Sequence, residues 1–265
     1  MRIAFITDIH EDALSLKKAL RLIEREKCDQ VVCLGDILGF PYLRGKYEST
    51  RDVHECISLI RQNCSLVVAG NHDLFHLRKF PKYTAGFRFP DNWYDLSPEE
   101  KTRIGGQKVW NYADDYPVEL DDYELDFLHS MPEYDFVFYG GNKILVSHYV
   151  YPNCSGYVLS GNNEKKKIAD HFRFLDRNDC RLSVCGHLHI EGMGLYYQPS
   201  EGILAKFLNG YDYYSFGTKR LKNKNCSIII PALADNGQVN GFAILDTVDY
   251  SINALSLNTN RRFIL

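Results

Sequence analysis

Eight cysteines are spread over 265 residues without a single Cys-x-x-Cys pair, which argues against a zinc ribbon. No apolar run approaches the roughly 20 residues of a membrane span. Met1-Arg2 leads into Ile3-Ala4-Phe5-Ile6, a run ended too soon by Thr7-Asp8 to serve as a secretory signal. Charge of one sign is not in excess either: 31 Lys and Arg stand against 34 Asp and Glu, a net charge of −3. A nucleic-acid binder shows a concentrated basic face, and the one local run, Lys165-Lys166-Lys167, falls on a predicted helix as a solvated face. Neither membrane attachment nor stable nucleic-acid binding is expected. There is no internal repeat and no low-complexity segment. Without a secretory signal the cysteines read as reduced and the chain as cytoplasmic. Cys33 in VVCLGD and Cys185 in LSVCGH sit inside apolar strand patterns and read as buried free thiols.

What is present is an ordinary globular composition, 45% hydrophobic and 25% charged, in a chain long enough to bury a sizeable core. The first third alternates strand and helix. Ile3 to Thr7, Val31 to Leu34 and Leu66 to Ala69 are short apolar strands. Between them, Asp12 caps a helix carrying Ala13, Leu16, Leu20 and Ile23, and Val53, Ile57 and Ile60 mark a second helix. Such alternation predicts βαβ units around parallel strands. From Arg78 to Asp122 the apolar strands vanish and aromatics mix with charges. Here Ser97-Pro98-Glu99-Glu100 is a helix start, with Ser97 as cap and Glu100 reaching back, and a short helix follows around Asp122 to His129. Residues 1–265 are expected to form a single domain, with 78–122 as an inserted, cap-like segment. Regular structure returns with KILVS (143–147), a helix carrying Ile168, Phe172 and Leu175, and a strand at Leu182 to Cys185. Four further strands are expected, at 202–208, 227–230, 242–245 and 252–257, with the imperfect alternation of antiparallel pairing.

The chemistry gathers where strands stop. The five predicted parallel strands end in Thr7-Asp8-Ile9-His10, Gly35-Asp36, Gly70-Asn71-His72-Asp73, Ser147-His148 and Gly186-His187-Leu188-His189. The carboxyl ends of parallel strands share one edge of a sheet, where ligands bind. In extended chain, residues two apart point the same way, so Asp8 with His10, and His187 with His189, are paired donors. A lone Asp after a strand is usually a turn and a lone His usually a surface residue. Five strand ends repeating the pattern, with five of the nine histidines, argue for a metal site. Oxygen and imidazole donors without thiolate suit manganese, iron, zinc, cobalt or nickel. Asp8, His10, Asp36, Asn71, His148, His187 and His189 are too many ligands for one ion and about right for two sharing a carboxylate.

Together, Asp8-x-His10, Gly35-Asp36, Gly70-Asn71-His72-Asp73, His148 and Gly186-His187-x-His189 resemble the calcineurin-like metallophosphoesterase superfamily. TDIHEDALSLKKAL and GDILGFP look most like its bacterial and archaeal phosphodiesterase-like subgroup. The resemblance implies an α/β fold, a four-layer α/β/β/α sandwich with two mixed sheets and here a partly helical insertion. It also implies that Asp8, His10 and His189 hold one divalent metal, that Asn71, His148 and His187 hold a second, and that Asp36 bridges them. Manganese is the first expectation. A hydroxide between the metals would attack phosphorus, His72 would act as general acid and Asp73 would orient it.

The sequence departs from the superfamily at three places. Many members carry Asp where Gly39 stands, protein phosphatases carry Arg where Ala69 stands, and Ile230-Pro231-Ala232-Leu233 occupies the place of an Asn-Pro-Gly-Ser turn. The expected activity is hydrolysis of a small or nucleotide-like phosphodiester. A phosphomonoesterase (nucleotide or protein phosphatase) and a non-catalytic protein-interaction scaffold are the alternatives. Arg78, Lys79 and the tyrosines of YDYYSF (211–216) are expected in solvated loop and strand roles. His54, His76, His129 and His171 are expected in packing or surface roles, with His76 near enough to the motif to line the cleft.

Overall fold

The computed structural model describes residues 1–40, 47–159, 164–198 and 211–257, and of 164–167 the backbone alone. Strands β1 (Arg2–Ile6), β2 (Gln30–Cys33) and β3 (Leu66–Val67) alternate with helices α1 (Ala13–Arg25) and α2 (Val53–Asn63). A short helix α3 (Asn71–His76) follows β3. Segment 78–122 contributes α4 (Pro98–Gly105), and α5 (Asp122–Ser130) leads into the hairpin β4 (Tyr134–Tyr139) and β5 (Asn142–Ser147). Then come α6 (Glu164–Arg177), β6 (Leu182–Cys185), β7 (Met193–Tyr197), β8 (Tyr211–Tyr214) and β9 (Gly217–Arg220). The last strands are β10 (Cys226–Ile229), β11 (Gly241–Asp246) and β12 (Ser251–Ser256).

The strands form two six-stranded sheets, β3-β2-β1-β11-β12-β9 and β4-β5-β6-β10-β7-β8. Each is mixed: β1 and β2 pair in parallel while β11 joins β1 antiparallel; β5, β6 and β10 run parallel while β4 and β7 flank them antiparallel. The pleat of β1 explains the layering. Ala4 and Ile6 face a core shared with Leu16 and Ile23 of α1 and with Ile57 and Ile60 of α2. Ile3 and Phe5 face the opposite way and meet Ile144, Val184, Ile228 and Leu245 between the sheets. On the far side of the second sheet, Phe172 and Leu175 of α6 cover Leu145. Helix, sheet, sheet, helix is therefore the order of the four layers.

Local signals act as expected at the helix starts. The Asp12 carboxylate accepts from Ser15 N, and Ser97 and Glu100 form a reciprocal capping box. Four elements differ from the sequence reading. YDFVFY forms β4, whose alternate side chains lie partly exposed along the edge of a sheet. Met193–Tyr197 and Gly217–Arg220 are strands as well. β10 was expected to pair antiparallel, yet it lies parallel to β6 and antiparallel to β7. The expected strand at 202–208 lies outside the described residues. Segment 78–122 shares the first core: Trp93, Phe87, Val109 and Tyr112 are buried there with Tyr157.

Candidate functional site

Five loops meet at one edge of the sandwich because their backbones bond to one another. Asp8 N donates to Gly35 O, His10 N to Asp36 O, and Gly186 N to His148 O. The segment after β10 closes the ring: Leu233 N donates to Thr7 O and Ala234 N to Asp8 O, each at 3.0 Å. Glycine is needed here for closeness, since a Cβ on Gly70 would stand 2.1 Å from Asp36 Oδ1. Asp8, His10, Asp36, His187 and His189 all have positive φ, between 45° and 68°. For residues with a Cβ this backbone is costly and clusters at functional sites.

The side chains converge. Ligand atoms of Asp8, His10 and His189 lie within 4.8 Å of one another, as do those of Asp8, Asp36 and His148, and those of His10, Asp36 and His72. His187 Nδ1 lies 3.2 Å from His148 Nε2. A Cβ on Gly156 would stand 2.6 Å from His187 Nδ1 and 3.0 Å from Asn71 Oδ1, so those two donors border the same point. All seven sequence-predicted ligands are therefore gathered at this edge.

The hydrogen bonds around the imidazoles decide which nitrogens carry lone pairs. A carbonyl can only accept. His10 Nδ1 lies 2.7 Å from Gly39 O and His148 Nδ1 2.9 Å from Leu34 O, so both Nδ1 atoms carry the proton of the neutral ring. The Asn236 amide lies 2.7 Å from His189 Nδ1. With its oxygen turned to that nitrogen, Asn236 accepts Nδ1–H, and its otherwise unpartnered buried Oδ1 gains a donor. In the neutral ring each Nε2 then carries a lone pair. His10 Nε2 faces His189 Nε2 at 3.2 Å, His189 Nε2 faces Asp8 Oδ1 at 3.0 Å, and His148 Nε2 faces Asp36 Oδ2 at 3.1 Å. Asp8 Oδ1 and Asn71 Oδ1 are buried without a hydrogen-bond partner among the described residues. Buried acceptors turned on acceptors are unfavourable unless a cation lies between them. The donor set fits divalent metal.

The charges follow from this packing. Burial would raise the carboxyls of Asp8 and Asp36, yet the surrounding imidazoles outweigh it and hold both below the usual range. Burial lowers His10 to about 4, helped by His72, and lowers His187 to about 3, helped by His148. Burial also opposes charge on His148, but Asp36 and Asp8 outweigh it and carry this histidine up to about 9. Its Nε2 then takes the ring's second proton and donates to Asp36, a proton that a cation at this place would replace.

The general-acid candidate has a different partner from the one expected. Asp73 was expected to orient His72. Instead, its Oδ1 accepts from Ile37 N and Leu38 N, and its Oδ2 from Asp36 N and Gly70 N, at 2.8–3.0 Å. The reason is helical geometry. Asp73 stands three residues after Gly70 at the start of α3 and reaches back to its N–H, while consecutive helical residues diverge by about 100°. His72 Nδ1 lies 2.6 Å from Asp115 Oδ2, and His76 Nε2 lies 3.2 Å from the same oxygen. Burial opposes charge on His72, but Asp115 and Asp36 outweigh it and bring it up to about 9. Asp115 comes from the insertion. It takes over the side of the ring where Gly39 stands, a position whose Cβ would lie 2.3 Å from His72 Nδ1.

The residues of lesser promise fall as expected. Arg78 pairs with Asp95, and Lys79 Nζ donates to His129 O. Tyr211 and Tyr213 are strand residues: Tyr211 packs on the Tyr196 ring, and the Tyr213 hydroxyl donates to Glu191 O. No helix among the described residues is long and apolar enough to cross a membrane.

Comparison with known proteins agrees with this geometry. A 30% identical match over 165 residues joins the chain to an uncharacterized protein of Methanocaldococcus jannaschii, spanning 55% of this chain and 61% of that relative's length. Among solved structures, a metallophosphoesterase from Sphaerobacter thermophilus superposes with a TM-score of 0.64 at 18% identity, over 98% of this chain and 89% of that one. A hypothetical protein from Pyrococcus horikoshii does so with a TM-score of 0.55 at 14% identity, over 96% and 87%. At such identities these two share the fold. The calcineurin-like phosphoesterase model matches residues 1–191, the stretch holding every candidate ligand, and the chain belongs to that family.

Proposed function

We propose that the protein hydrolyses a small or nucleotide-like phosphodiester at a two-metal centre. The observation that carries this reading is the set of buried lone pairs turned on one another at the strand ends. Asp8, His10 and His189 would hold one cation, Asn71, His148 and His187 the other, and Asp36 would bridge. Manganese is the first candidate, with iron, zinc, cobalt and nickel accepted by the same donors. When bound, such cations supply charge to offset the phosphoryl oxygens and make water a nucleophile near neutral pH.

The chain's own residues do the rest. Asp115 holds the His72 ring by Nδ1, which leaves Nε2 to donate a proton to the leaving oxygen. Asp73 fixes the two loops that carry Asp36 and Asn71. Among the described residues, three cationic side chains are committed elsewhere: Arg51 pairs with Glu11, and Arg78 and Lys79 are held as described above. A site in which these three side chains are committed, and charge comes from the metals and His72, suits the single negative charge of a diester better than the double charge of a monoester. The eight unpaired thiols support a reducing compartment, the cytoplasm, as its place of action.

The test is hydrolysis of a generic phosphodiester and the matching monoester, side by side with added manganese. The diester is expected to be preferred, and His72→Ala is expected to retain both metals and lose roughly 10²–10⁴-fold in kcat. Preference for the monoester would overturn the diester reading. Metal lost from the His72 variant would make that residue a ligand.

A further inference from the structure

The proposed reaction leaves one large side chain at the site without a task. Trp110 lies in the insertion, and its backbone is pinned to the loop that passes the metal ligands. Val109 bridges Val158, Trp110 N donates to Tyr157 O, and Leu159 N donates to Lys108 O. The indole N–H is spent as well, on Gly156 O at 2.9 Å. Gly156 itself touches the site, as its approach to His187 and Asn71 showed. Backbone and ring of Trp110 are thus both fixed, and the indole centroid lies 6.1 Å from the His187 ring at 74°.

Burial sets Trp110 apart from its neighbours. Trp93, Tyr112 and Tyr157 of the same aromatic group are buried, whereas Trp110 is 40% exposed. Leu188, between the ligands His187 and His189, is also 40% exposed. Two large apolar side chains held open to solvent beside a cluster of carboxylates and imidazoles give up hydrophobic burial in the free protein. A rigid ring with an exposed face recovers that loss when a flat partner stacks on it, and it needs no reorganisation to do so.

The geometry points to Trp110 as a stacking platform for a flat aromatic group on the phosphate ester, the nucleobase of a nucleotide being the chemical class that fits. The inference rests on the phosphoesterase reading and narrows its substrate. Stacking of a base on an aromatic side chain corresponds to roughly 5- to 150-fold in affinity. Trp110 therefore acts on binding and leaves the proton transfer at His72 alone.

The experiment compares adenosine 5′-monophosphate with ribose 5-phosphate, which differ by the base alone, as ligands of the manganese-loaded protein. Intrinsic fluorescence reads binding at the platform, since Trp93, the second of two tryptophans, is buried; calorimetry reads both ligands in every variant. The wild type is expected to bind the nucleotide about 5- to 150-fold more tightly than the sugar phosphate, with quenching of Trp110. Trp110→Ala should abolish that gap and leave ribose 5-phosphate affinity unchanged, and Trp110→Phe, which keeps a ring, should retain most of it. Equal affinities in the wild type, or a gap that survives Trp110→Ala, would overturn the platform while ribose 5-phosphate binding shows the phosphate site intact. Failure of both phosphates to bind with manganese would overturn the platform, and if the generic phosphodiester is also left intact the phosphoesterase reading falls with it.

Discussion

Asp73 and Asp115 invite the same substitution with different outcomes. In Asp73→Asn one carboxylate oxygen becomes an amide nitrogen. The carboxylate serves four backbone donors, two on each oxygen, so two buried N–H groups would lose their acceptor and face another donor. Each orphaned group costs about 1–3 kcal/mol, or roughly 2–6 kcal/mol for the pair. Unfolding entropy near 2.1 cal/mol/K per residue makes 1 kcal/mol worth about 2 °C in a chain of this size. The melting temperature should therefore fall by roughly 4–12 °C. Asp115→Asn removes charge-assisted contacts to two histidine rings, His72 and His76, and spares the loop backbones. It should cost about 1.5–3 kcal/mol in the step that uses His72, roughly 10- to 150-fold in kcat, with little change in melting. Calorimetric melting and steady-state hydrolysis of a phosphodiester measure both effects on the same preparations. An Asp73→Asn protein that melts like the wild type yet loses turnover would refute the structural role derived for Asp73. An Asp115→Asn protein that keeps full kcat would refute the orienting role of Asp115.

Two further outcomes follow from buried groups. Chelation should lower the melting temperature of the manganese-loaded protein, because metal binds the folded state alone; at a free concentration 100 times Kd the loss is about 2.7 kcal/mol, or roughly 5 °C. A melting point indifferent to chelator would count against the site. His171 is fully buried between Tyr151 N and Ser183 Oγ, and burial lowers it to about 4. A folded-state value below the unfolded one gives stability that is complete above about pH 6.5 and declines as pH falls towards 4, by roughly 3 kcal/mol in all. His171→Gln should flatten that part of the stability–pH curve in denaturant titrations, and an unchanged slope would show that other groups set it.

The site was legible where each signal was local. A strand that ends in a glycine and a metal-binding side chain can be seen within four residues, and five such ends needed no knowledge of pairing. Helix caps at Asp12 and Ser97 are likewise local events. What the sequence hid depends on distance along the chain. Asp115 meets His72 across 43 residues and Asn236 meets His189 across 47, and neither ADDYP nor ALADNG announces such a partner. Asp73 misled for a related reason: adjacency to His72 suggested contact, while the first turn of α3 sends the two side chains apart. The edge strand β4 was hidden because YDFVFY keeps only part of its surface buried, so its alternation is weak.

The placement of β11 beside β1 has a consequence for how the protein is made. Ile6 and Gly241 belong to neighbouring strands, and the bonds from Leu233 and Ala234 onto Thr7 and Asp8 come from the same late stretch. At 5–20 residues per second, roughly 10–50 s separate synthesis of β1 from that of its antiparallel neighbour. For that interval one side of β1 offers unpaired backbone groups, the template on which strands of other chains can add. Asp8, among the first site residues to leave the ribosome, is among the last to be secured, and yield during expression should respond to chaperones that shield this edge.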